Sequence, residues 1–116
     1  MKSGELWNLR TGQMVAAQLV IADSFWLRFR GLLGKSSLKH GEGLWLKGCQ
    51  QVHMIGMKFP LSIWYLDNHG RVCSIIDNLK PWQIAPRLDR ANSIIEFPEG
   101  WGELTNTRIG DEVQWR

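Results

Sequence analysis

Leu61-Ser62-Ile63-Trp64-Tyr65-Leu66-Asp67-Asn68-His69-Gly70-Arg71-Val72-Cys73-Ser74-Ile75-Ile76-Asp77 is the stretch that decides the fold class. Its first six residues are dense in β-branched and aromatic side chains, which pack well on a pleated surface. Asp67 to Gly70 is a turn, with Gly70 free to take a positive φ. Arg71 to Asp77 returns, so the stretch reads as a β-hairpin.

Working outward, the same grammar repeats. Leu6–Arg10 and Gln13–Ala22 read as strands joined through Thr11-Gly12. Leu44–Leu46, Val52–Met57, Ser93–Phe97 and Glu112–Trp115 read as further short strands. Lys80-Pro81-Trp82-Gln83-Ile84-Ala85-Pro86 is extended and loop-like, because each proline restricts the residue before it. One helix is predicted over 24–33, capped by Asp23 and ended by Gly34. There Phe25, Phe29, Leu32 and Leu33 fall on one face. Many short strands with one helix predict a mostly β domain, a small barrel or sandwich of antiparallel or mixed sheet, on the border of α+β. The helix would plug an open end or cover a face.

A chain of 116 residues fits one domain, 1–116, and its 44% hydrophobic and 22% charged residues are globular in character. The net charge of +3 comes without a basic stripe or a nucleic-acid motif, so nucleic acid is not an expected partner. No membrane span or signal peptide is read, and the cytoplasm, with Cys49 and Cys73 reduced, is the expected location. A disulfide between them is open. Seven tryptophans are unusual in so short a chain, and most are expected in or near the core.

In order and spacing, Arg28-x-x-Gly31-Leu32-Leu33, Gly43-Leu44, His53-Met54 with Pro60-Leu61, Leu66-Asp67-x-x-Gly70-Arg71-Val72, Ala91-x-x-x-x-Glu96-x-x-x-Gly100 and Gly110-Asp111-x-Val113 form one pattern. It resembles the DUF192 family of small bacterial and archaeal domains, over about residues 13–116. The resemblance implies a compact β-rich fold with one short helix and no established activity. This chain departs from the family's common residues at Leu33, Gly56 and Ser62, where Met, Asn and Asp are usual. The missing carboxylate at Ser62 weakens a hydrolase-like reading. The export signal or lipid anchor frequent in the family is not read here.

Four constellations could carry chemistry. Cys49, His53 and Met57 offer thiolate, imidazole and thioether, the soft donors that suit Cu(I). Four residues of straight strand span ~13 Å, so they would need a bend to converge. Alternatively, the thiol and methionines fill the core. His53 with a nearby thiol or carboxylate could also serve an enzyme of unknown class, with Asp67, Asp77 or Glu96 orienting the imidazole. Arg28 suits either an ion pair with Glu96 or Asp67, holding helix to sheet, or a carboxylate clamp at a pocket rim. His53, Trp64, Trp82 and Trp101 could frame an aromatic groove with the 80–86 loop as its rim. The ligand-binding candidates are therefore Arg28, His53, Trp64, Trp82 and Glu96, and no cofactor is implied. The leading expectation is a non-catalytic domain that binds a small molecule or a partner protein, as a monomer or a homodimer.

Overall fold

A computed structural model of the chain describes residues 2–22, 38–52, 54 and 57–116. It contains seven strands in the described residues: β1 (Lys2–Asn8), β2 (Gln13–Ala22), β3 (Glu42–Lys47), β4 (Leu61–Leu66), β5 (Val72–Leu79), β6 (Ser93–Pro98) and β7 (Val113–Trp115). A single turn of helix, α1 (Trp101–Leu104), follows β6. The helix expected over 24–33 lies outside the described residues.

The strands form one sheet in the order β5-β4-β6-β3-β2-β1-β7. Every pair is antiparallel except β2 and β3. The hairpin read from residues 61–77 is present, with Trp64 opposite Ile75 and Tyr65 opposite Ser74. The parallel β2–β3 pair needs a crossover, as parallel neighbours do.

The sheet curls into a half-barrel. Trp45 of β3 and Trp115 of β7 are separated in the sheet by two strands, yet their rings lie 6.1 Å apart. At one end the edge strands meet: the Val72 N–H donates to Asp111 O (2.8 Å), Gly110 to Val72 O (2.7 Å) and Val113 to Gly70 O (2.9 Å). The enclosed face is lined by Leu6, Leu19, Trp45, Trp64, Ile95 and Phe97. Phe97 leaves no space opposite it: a Cβ on Gly43 would stand 2.6 Å from its ring, which is why glycine occupies that point of β3.

A second apolar cluster lies on the other side of the same strands, with Leu44, Leu46, Leu61, Ile63, Tyr65 and Ile94. It is covered by 48–60 and 79–92, through Val52, Met54, Met57, Ala85 and Ala91. Strands β4 and β6 are thus buried along their whole length. Their sequences are accordingly apolar apart from Ser62, Ser93 and Glu96, in keeping with strands covered on both faces.

Most strand ends shift by one to four residues from the sequence reading, and three departures have a visible cause or consequence. β1 ends at Asn8 and not Arg10, because the Asn8 side chain accepts the N–H of Arg10 (2.9 Å) and turns the chain. The described residues of 52–57 are not sheet, although 50–54 is bonded to 82–88. The Trp82 N–H donates to Met54 O, Met54 to Gln83 O, Ala85 to Val52 O and Leu88 to Gln50 O. Finally, Trp101 opens a short helix in a stretch where the sequence named no element.

That helix has a distant cap. Gly100 precedes it and supplies no side chain, but the Asp77 carboxylate of β5 accepts the N–H groups of Gly102 (2.8 Å) and Glu103 (2.9 Å). A carboxylate at a helix N-terminus satisfies donors that the helix itself leaves open. The approach is close enough that a Cβ on Gly102 would lie 2.8 Å from Asp77 Oδ1.

Candidate functional site

Of the residues that the sequence singled out, Arg28 and His53 lie outside the described residues. Trp64 is fully buried inside the half-barrel, 4.5 Å from Phe97 in a tilted ring contact, and its Nε1–H donates to Ser62 Oγ (3.0 Å). Trp101 is also inside, its Nε1–H donating to Val15 O (3.1 Å). Trp82 stands on the outer loop and is 69% exposed. The three rings therefore do not line one groove.

Glu96 is buried in β6, opposite Leu44 on one side and Ile63 on the other. Those neighbours place it on the covered outer face with Ile94 rather than in the barrel. Cys49 and Met57 belong to the same outer cluster, and Cys49 is not bonded to Cys73. Among the described residues, no three His, Cys, Asp or Glu side chains are grouped to hold a metal ion. The Cys73 thiol is pushed up by burial, which outweighs the opposing charge of Arg90; its Sγ–H points at Tyr65 O (3.4 Å).

The polar centres of the sheet are committed to structure. Ser62 gives its proton to Asp77 (2.6 Å) and accepts from Trp64, and Asp77 spends its remaining capacity on α1. Among the described residues, the Ser62 hydroxyl donates only to the Asp77 carboxylate, which also caps α1. Asp111, read in the Gly110-Asp111-x-Val113 pattern, receives Arg10 Nε (2.7 Å), Asn8 Nδ2 (3.0 Å) and the Arg108 N–H (2.8 Å). Burial pushes its carboxyl up, but the hydrogen bonds from Arg10, Asn8 and Arg108 and the Arg10 charge bring it below the usual range.

The turn at Lys80–Gln83 carries an exposed large ring, that of Trp82. The Gln83 N–H donates to Lys80 O (3.1 Å), closing a four-residue turn with Pro81 second and Trp82 third. Trp82 has φ 70°. Proline second and a positive φ third is a type II turn, whose third position belongs to glycine. A tryptophan there carries the left-handed penalty of a residue with a Cβ, about 1–2 kcal/mol.

The surroundings hold this turn fast. The Lys80 N–H donates to the Gln83 side chain (2.8 Å), and Met54 pins the turn through both of its backbone groups. Farther on, the buried Tyr65 hydroxyl donates to Pro86 O (2.6 Å) and Gln51 Nε2 to Ala85 O (2.9 Å). The indole projects from this frame, with Ile84 (55% exposed) two residues on. Sequence reading marked the loop and Trp82. It missed the turn type, since the usual signal, glycine after proline, is absent.

The sequence profile of the DUF192 family, described as "Uncharacterized ACR, COG1430", matches residues 7–115. A UPF0127 protein of Thermococcus sibiricus is 29% identical over 114 residues, covering 95% of this chain and 73% of that protein. A UPF0127 protein of Pyrococcus furiosus is 26% identical over 111 residues, covering 93% and 95%. Among solved structures, a Sinorhizobium meliloti protein provisionally described as a transcription regulator superposes with a TM-score of 0.82 at 15% identity, over 98% of this chain and 94% of that one. A protein of unknown function from Novosphingobium aromaticivorans gives 0.76 at 18%, over 97% and 84%. At these identities the two structures speak to the fold alone.

Proposed function

We propose that this chain, which belongs to the DUF192 family, is a non-catalytic binding domain whose recognition element is the Lys80–Gln83 turn, with Trp82 and Ile84 as its contact residues and a protein as its partner. The observation that carries the reading is Trp82: a large apolar ring, mostly in water, at a position where glycine would relieve the backbone. Strain kept at an exposed site is a mark of use rather than of folding. Tryptophan is also among the side chains that contribute most at protein interfaces, and a turn rigid before contact loses little freedom on binding. A projecting turn suits a partner's recess better than it suits a small molecule, which needs a concavity to surround it.

The test places a photoreactive benzophenone side chain at position 82 and, as a control, at exposed Gln13, in the chain expressed in its own host. The expected result is one discrete adduct from position 82 and none from position 13. Excess wild-type chain should compete for it, and excess Trp82→Ala chain should not. Equal labelling from both positions, or competition by the Ala variant, would overturn the proposal.

The soft-metal reading keeps one supporting observation, that Cys49 and Met57 share the outer cluster. Native mass spectrometry of the purified chain titrated with Cu(I) tests it. One ion retained per chain, and lost in a Met57→Leu variant, supports it; a bare chain throughout ends it.

A further inference from the structure

The two segments that cover the outer face carry the molecule's whole excess of charge. Residues 48–60 and 79–92 contain Lys58, Lys80, Arg87 and Arg90 against one acid, Asp89, so they are net +3. The rest of the chain holds ten basic and ten acidic residues. All four cations are exposed. Asp89 is paired with Arg87 (3.1 Å) and offsets that charge, which leaves Lys58, Lys80 and Arg90 as the net excess. The exposed apolar pair Trp82 and Ile84 belongs to the second of these segments, two and four residues from Lys80 in the chain.

We infer that the partner of the Trp82 turn presents an acidic segment bearing an apolar side chain: its carboxylates face Lys58, Lys80 and the arginines, and its apolar group meets Trp82 and Ile84. This rests on the binding role proposed above and adds the chemistry of the partner. Charges around an apolar contact set orientation and speed the encounter, while the aromatic residue supplies most of the affinity. A lipid surface, which also favours tryptophan and cations, is the competing occupant that the vesicle measurement below decides.

The experiment pans random 12-residue peptides, displayed on phage, against the full chain and against a Trp82→Ala chain in parallel. The expected outcome is enrichment on the wild type of net-acidic peptides containing an aromatic or branched aliphatic residue. A synthetic consensus peptide should then bind more weakly by roughly fivefold or more to Lys80→Glu, with a similar loss for Lys58→Glu, since each reversal turns an attraction into a repulsion. Its binding should weaken as salt is raised. Neutral or basic consensus peptides that still require Trp82 would overturn the acidic inference and leave the binding role standing. No enrichment over the Ala chain would overturn both. Co-sedimentation with phosphatidylserine-containing vesicles, abolished by Trp82→Ala, would assign the surface to lipid and overturn the acidic-protein inference.

Discussion

Replacing Trp82 by Gly and by Ala separates the backbone cost of the turn from the value of the ring. Both variants lose the indole, which is 69% exposed and so buries about a third of itself. A third of a side chain of roughly 200 Å² is about 60 Å², or about 1.5 kcal/mol of lost burial in each variant. The two then differ only in the backbone. With φ at 70°, alanine keeps the left-handed penalty of about 1–2 kcal/mol, and glycine escapes it. Glycine in turn loses about 0.4–1 kcal/mol through its freer unfolded chain. At the middle of these ranges the Gly variant is the more stable by about 0.8 kcal/mol, the reverse of the order at an ordinary position. That is about 2–4 °C in Tm for a domain of this size. Urea titration and differential scanning calorimetry on the pair measure it. Neither variant should compete for the position-82 adduct, so the gain in stability comes with no gain in binding. A Gly variant equal to or less stable than the Ala variant would refute the strained turn and, with it, the argument for a site prepared in advance.

Asp77→Ala removes the acceptor of Ser62, Gly102 and Glu103 together and should cost about 2–4 kcal/mol by urea unfolding; a loss below about 1 kcal/mol would show that α1 does not depend on β5. Tyr65→Phe leaves the Pro86 carbonyl without its donor and should cost about 1–2 kcal/mol. Amide exchange should quicken over 82–88; exchange unchanged there would mean that the loop is held by its backbone bonds to 50–54 alone. For Asp111, whose folded carboxyl lies below the usual range, the sign follows from linkage. The depressed group binds its proton less readily folded than unfolded, so its contribution is complete above the unfolded value of about 3.9 and disappears as pH falls through the folded one. Asp111→Asn should therefore flatten the decline in urea stability below about pH 4. An unchanged acid limb would rule out Asp111 as a source of it.

The sequence by itself determined the elements whose partners are near in the chain. The 61–77 hairpin is explicit because a run of strand-forming side chains and the Asp67–Gly70 turn sit side by side, and the structure adds that the Asp67 side chain accepts the N–H groups of His69 and Arg71. Strand β2 matches its sequence reading from Gln13 to Ala22. The mostly β class and the likeness to DUF192 were legible for the same reason: they rest on order and spacing along the chain.

What only the tertiary structure decided involves groups far apart in sequence. Trp64 and Trp82 look equivalent as tryptophans, but one fills the half-barrel and the other stands in water, because the two faces of β4 and the outer loop are assigned only when the sheet closes. The cap on α1 comes from Asp77, 25 residues before Gly102; no local capping motif announces it, so Trp101–Leu104 gave no helix signal. The strain at Trp82 was likewise unreadable. Its left-handed φ is imposed by Met54 and Gln83 closing around a proline turn, against the local preference of tryptophan. Local preference is carried by each residue and can be read in order, whereas burial, remote caps and imposed strain exist only once distant segments meet.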